Sequence, residues 1–227
     1  MPIAGLAPPA DSRTALKEYE HIFEDTWTSR TRPDAELYSP VYDGRTDPRD
    51  DPFPFAKKEH LRLLLQMMQT VVNIWLRQTV TPLQQQATEE VVLNSLCQRI
   101  KSMPSSNLPK LPTTDHHIYE ACRLTSVLMI RSVESGRMWR SVAEGTSLLG
   151  DIREALQKTD LDSLWDKQIG LLYWVILVFH CAAFGTPDYP FGHTLETRIH
   201  FELTYTYGDW HGALKPMLVL NDVMPSQ

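Results

Sequence analysis

The sequence predicts an all-α fold: a single domain of about seven helices around a central apolar helix, preceded by a proline-rich N-terminal arm. Three observations predict it. From Ile169 to Phe184 the chain reads IGLLYWVILVFHCAAF, apolar on every side, with His180 its one strongly polar residue. A helix of that kind belongs inside a protein or a membrane, and this run is shorter than the roughly 20 residues that a bilayer requires. Around it, apolar residues recur at i, i+3, i+4 and i+7 in several further segments, while no segment sustains the alternation of a half-buried strand.

The totals narrow the class. The chain has 227 residues, 42% of them hydrophobic, and a net charge of -6. That length allows one large domain or two small ones, and the apolar fraction suffices for a core. An acidic chain without a Lys/Arg block is a poor holder of nucleic-acid phosphates. The opening MPIAGLAPPADSR has neither the charged start nor the long apolar stretch of a signal peptide. The three cysteines, Cys97, Cys122 and Cys181, are scattered and odd in number. They suit a reducing intracellular compartment, nucleus or cytoplasm, rather than a disulfide framework or a zinc cluster. Cys122 and Cys181 fall in apolar contexts and read as small buried hydrophobes.

Taken in order, residues 1–56 form the arm. They hold eight of the sixteen prolines and the turn-rich run YDGRTDPRDDPFPF. Leu16, Tyr19, Phe23 and Trp27 allow one short helix there, and Tyr38, Tyr42, Phe53 and Phe55 are candidates to pin the arm onto the body, residues 57–227. The first body helix carries Leu61, Leu64, Leu65, Met68, Val71, Val72 and Trp75 on one face. Thr81-Pro82 then suggests a cap and first turn for a second helix with Leu83, Val91, Val92, Leu96 and Ile100 inward. After the break SMPSSNLPKLPTT, Thr114 or Asp115 caps a third helix with Ile118, Cys122, Thr125, Leu128 and Met129 inward, stopped by Gly136. A fourth runs from about Thr146 to Lys158. The central helix begins near Leu164, capped by Asp162 or Ser163, and ends at Gly185 before Pro187. A loop, GTPDYPFGH, leads to a sixth helix from Thr194 to Tyr207, and Asp209 opens a seventh that Pro216 interrupts.

No motif that imposes a mechanism is present: no glycine-rich phosphate loop, no G-x-S-x-G, no H-E-x-x-H, no CxxC pair. No cofactor or metal is expected. Three looser constellations remain. In Asp115-His116-His117 with Tyr119, Glu120 and Arg123, the pair His116 and Glu120 is spaced to share a helix face, against the plain reading of a polar helix start. His180 is either a satisfied core histidine or a polar anchor in an apolar pocket beside Trp174 and Phe184. The cluster Tyr189, Phe191, His193, Glu196, Arg198, His200, Tyr205, Tyr207, Trp210 and His211 is either a site or ordinary helix surface. Candidate catalytic residues are therefore His180, His116, Glu120, His193 and Tyr189. Candidate ligand-binding residues are Trp174, Phe184, Tyr119, Arg123 and Trp210.

Four stretches, IYEACRLTSVLMIRS, IREALQKTDLDSLW, GLLYWVILVFHCAAFG and RIHFELTYTYGDWHGALKPML, together resemble the C-terminal part of the fungal-specific transcription factor domain. Tyr119 to Arg123, Thr159 to Leu161 with Trp165, Leu171 to Ala183, and Asp209-Trp210 carry the resemblance, which covers about residues 115–222. It implies an all-helical regulatory domain, in the family usually downstream of a six-cysteine zinc cluster that binds DNA. The three cysteines here cannot form that cluster, and the terminal aromatic motif is replaced by LVLNDVMPSQ. The implied function is a standalone regulator-like domain without its DNA-binding module. It would bind a small apolar metabolite or another regulator protein, with a homodimer open to it and no nucleic acid or membrane as partner. The alternative is an enzyme of fungal secondary metabolism on the same body, catalysing a rearrangement, cyclisation or dehydration in an apolar pocket.

Overall fold

Thirteen of the fifteen residues from Ile169 to Ala183 are buried, because an all-round apolar helix has no face to give to water. The computed structural model describes residues 37–42, 49–78, 83–105 and 113–207. Seven α-helices run in order: α1 Glu59–Gln78, α2 Leu83–Lys101, α3 Thr114–Ser135, α4 Trp139–Ala143, α5 Leu148–Gln157, α6 Ile169–Ala183 and α7 Tyr189–Glu202. A 3-10 turn, Asp166–Gln168, leads into α6, and a π-helical turn, Leu203–Tyr207, prolongs α7. No described residue belongs to a strand, and the fold is all-α. No described helix is long and apolar enough to cross a membrane.

The centre is shared. α6 packs on α3, α4, α5 and α7, and α3 in turn touches α1, α2, α4, α5 and α6. The Trp174 indole N–H on α6 donates to Met129 Sδ on α3 at 3.3 Å. The predicted stripe of α1 is buried at every position, as are Ile118, Cys122, Thr125, Leu128 and Met129 of α3. Gly136 closes α3 in the left-handed conformation, φ 62°, which a side chain resists. Ahead of α1, Leu37, Tyr38, Val41 and Phe53 are buried.

Several expectations need correction. Val91 and Val92 of α2 are exposed, and Leu93 and Cys97 face inward instead, alongside Ile100, which is buried as expected. Thr113, not Thr114 or Asp115, is the N-cap of α3, and its backbone N–H donates to His116 Nδ1 at 3.0 Å. α4 was too short to leave a periodic signal. Part of the expected loop before the sixth helix is helical from Tyr189 onward, because Pro190 falls in the first turn, where a missing N–H costs nothing. Cys122 is buried, but Cys181 is exposed. The suggested N-terminal helix, the Thr81-Pro82 cap and the seventh helix lie outside the described residues.

The largest departure precedes α6. The segment expected to be its first turn, around Leu164, is not α-helical. Leu164, Trp165 and Asp166 all have left-handed backbones, φ 48°, 63° and 48°. Each costs about 1–3 kcal/mol and persists only when its surroundings hold it. Here Asp160 Oδ1 accepts the N–H of Asp162 at 3.2 Å and of Ser163 at 3.3 Å. The Trp165 indole N–H donates to Thr159 Oγ1 at 2.8 Å. Leu164 and Trp165 are buried, so apolar burial and these bonds together oppose the strain.

Candidate functional site

Against the strained segment lies a hollow of about 300 Å³, bounded by Phe55, Ile118 and Trp165 on the apolar side and by Lys57, Asp160 and Gln168 on the polar side. A second hollow of about 150 Å³ shares Phe55, Lys57, Ile118 and Gln168 with it. Gln168 Oε1 is buried with no hydrogen-bond partner. An unsatisfied buried acceptor costs about 1–3 kcal/mol, and a bound hydroxyl or amide N–H would remove that cost. Ser163 holds the Asp160 carboxyl below its usual range, chiefly by a side-chain hydrogen bond and then by its backbone N–H. An ionised acid therefore stands at the rim. Among the candidates read from sequence, none lines this hollow. Its signal was the TDLDSLW stretch, which reads as a capping sequence and conceals the left-handed run.

A second locus is a charged cleft of about 280 Å³ between α3 and α5, lined by His117, Glu120, Arg123, Asp151, Glu154 and Lys158. Arg123 grips Glu120 with two bonds, Nε to Oε2 at 3.0 Å and Nη2 to Oε1 at 2.7 Å. Both side chains are mostly buried, and the bond to Glu120 raises the Arg123 pKa. Burial first, then the Lys158 ammonium, lowers the His117 pKa below the ordinary value. His116 and Glu120 do not act as a pair: His116 bonds the α3 cap, while His117 lines the cleft with Glu120. Tyr119 is buried, and its hydroxyl donates to the Pro104 carbonyl at 2.8 Å.

The third locus joins α6 to α7. Gly192 lets the helices approach closely, since a Cβ there would meet Phe179 Cδ1 at 3.0 Å and His180 Cα at 3.3 Å. The approach sets His180 Nδ1 2.5 Å from Glu196 Oε2. The His180 ring lies 4.6 Å from the Tyr189 ring and 5.5 Å from that of His193, and the Tyr189 and His193 rings stack at 5.8 Å. Phe184 meets Tyr189 edge-on at 5.4 Å but is itself 57% exposed. Of the candidates, His180, His193, Tyr189 and Phe184 come together here. Trp174 sits in the packed core, and Trp210 lies outside the described residues. Sequence reading separated His180 from Glu196, although one turn of α7 brings His193 and Glu196 to the same face. One turn further, the Tyr173 hydroxyl and His200 Nε2 are 2.9 Å apart.

No family model matches the chain, and neither a curated protein nor a solved structure matches it.

Proposed function

We propose that the helical body is a regulator-type binding module, as in the fungal regulatory domain that the sequence resembles. Its ligand is a small, largely apolar molecule carrying a hydrogen-bond donor. It sits in the hollow beside the 160–168 segment, with its apolar part on Phe55, Ile118 and Trp165 and its donor on Gln168 Oε1. One observation supports this most: a buried, unpartnered acceptor and three consecutive left-handed residues meet at the same hollow. Ligand sites combine an apolar wall with a few fixed polar groups, and backbone strain gathers at ligand clamps. Within these residues three scattered cysteines leave no six-cysteine cluster, so any effect on DNA would pass through another protein or another segment.

The test is a thermal-shift and native mass screen of the full chain against small apolar alcohols and amides. A ligand at 100 times its Kd stabilises by about 2.7 kcal/mol, which a melting curve resolves. A compound that binds, returns unchanged, and loses its effect in Gln168→Leu and Ile118→Trp supports the reading. No shift with any compound, or a shift undiminished in both variants, overturns it.

A second reading has one observation in its favour. The His180–Glu196 contact is an imidazole–carboxylate dyad of the kind that performs general acid–base catalysis, with the Tyr189 and His193 rings beside it. A compound recovered with altered mass or, for an isomeric product, altered chromatographic retention, and unaltered by the Glu196→Gln chain, would favour an enzyme acting by rearrangement, cyclisation or dehydration.

A further inference from the structure

We infer that His180, His193 and Glu196 form a binding site for a divalent first-row transition-metal ion, zinc first among them. One ligating atom from each of the three side chains lies within 4.8 Å of the others. Two imidazoles and one carboxylate make a nitrogen–oxygen set that suits zinc and leaves a coordination position open. His193 and Glu196 are three residues apart on α7, so one helix face presents both, and His180 faces them from α6.

His180 Nδ1 faces Glu196, but Nε2 is buried with no partner. If the ring is neutral and Nδ1 donates, Nε2 keeps an unused lone pair. If it is protonated, Nε2 keeps an unused proton. The ring is half-buried, with one nitrogen uncommitted and the other turned to a carboxylate, in a cluster already carrying a second imidazole; an ion on Nδ1 leaves the ring proton on Nε2.

The motions required are small. Zinc bonds of about 2.0–2.2 Å place tetrahedral ligand atoms about 3.3 Å apart. The 2.5 Å His180–Glu196 contact therefore opens by about 1 Å as the ion enters. His193 is exposed and turns inward by leaving its stack on Tyr189. A proton shared by His180 and Glu196 passes to solvent as the ion takes its place. The bound ion would then tie α6 to α7. This inference is independent of the ligand hollow beside residues 160–168, which shares no residue with it.

The experiment is titration of the full chain with zinc alone, followed by calorimetry and by cobalt(II) substitution. One equivalent should bind, the melting temperature should rise, and cobalt should give the visible absorption of a four-coordinate site. His193→Ala, at the helix surface, and Glu196→Gln, which keeps the shape of a half-buried side chain, both checked for unchanged helicity, should each weaken binding at least about tenfold. His116→Ala, at a different histidine, should leave it unchanged. Failure to bind one equivalent overturns the inference, as does binding that both α7 variants retain in full.

Discussion

Gly170, in the first turn of α6, lies against the backbone of Leu37 so closely that a Cβ at 170 would stand 2.1 Å from the Leu37 carbonyl oxygen. Backbone cannot rotate away as a side chain tip can. Gly170→Ala must therefore move either the 37–42 segment or the start of the central helix, at a cost of about 1–3 kcal/mol. Gly150 offers the contrast. It is exposed within α5, and a Cβ there meets nothing within 4 Å. Gly150→Ala should stabilise by about 0.5–1 kcal/mol through helix propensity. Melting temperatures read both, at about 2–4 °C per kcal/mol for this size. A Gly170→Ala protein as stable as the parent would mean that the contact with Leu37 is not held in solution.

The Asp160 carboxyl gives the strained segment a pH dependence whose sign is set. Its folded pKa is depressed, chiefly by the Ser163 hydrogen bonds. The stabilisation is therefore complete above the unfolded aspartate value of about 3.9 and is lost as pH falls through the lower folded value. Asp160→Asn keeps an acceptor but not the charge. The urea midpoint of the parent should exceed that of Asp160→Asn at pH 6, and the gap should close on acidification below about pH 4. A gap that stays constant from pH 6 to pH 2 would show that the carboxylate charge plays no part in holding the turn.

The parts of this fold legible in the sequence are those that one helix decides alone. Leu61 to Trp75 and Ile118 to Met129 repeat at the helical period because each stripe faces one core, and all are buried. α2 was harder: Val91 and Val92 are as apolar as Leu93, so hydrophobicity alone does not say which one turns inward. The left-handed run was hidden, since Leu, Trp and Asp carry no mark of positive φ and only contacts with Thr159, Asp160 and the core hold them there. The His180–Glu196 pairing depends on how α6 crosses α7, and the small residue that permits it, Gly192, reads in sequence as part of a loop. Glu120 and Arg123 were readable as neighbours on one face, but their mutual pairing removes Glu120 from the role beside His116 that spacing suggested.

That pairing makes its own prediction. Arg123→Met leaves the mostly buried Glu120 carboxylate without its guanidinium, in a cleft that also contains Asp151 and Glu154. Charged hydrogen bonds are worth about 1.5–3 kcal/mol, and the loss at pH 7 should fall in that range. Glu120→Gln with Arg123→Met should cost less than the two single changes added, because the second change acts on a carboxylate that has already lost its cation and keeps only neutral donors such as the Ser105 hydroxyl. Denaturant melts of the four chains close the cycle. Strict additivity would mean that the two side chains are solvated separately.

Thr125 carries the opposite expectation to most core changes. It is fully buried on α3, and its Oγ1 has no hydrogen-bond partner. The next residue, Ser126, is also buried, but its hydroxyl donates to the Cys122 carbonyl at 2.8 Å. Valine has nearly the shape of threonine and lacks the hydroxyl. Thr125→Val should thus leave the packing intact, remove an unsatisfied polar group and raise stability by up to about 1–3 kcal/mol. Ser126→Ala breaks a made bond and opens a small void, and should cost about 1 kcal/mol. Calorimetric melts of the two variants give opposite signs if the hydroxyls differ in this way. A destabilised Thr125→Val protein would show that Oγ1 is satisfied in solution, by water or by a ligand reaching the interior along α3.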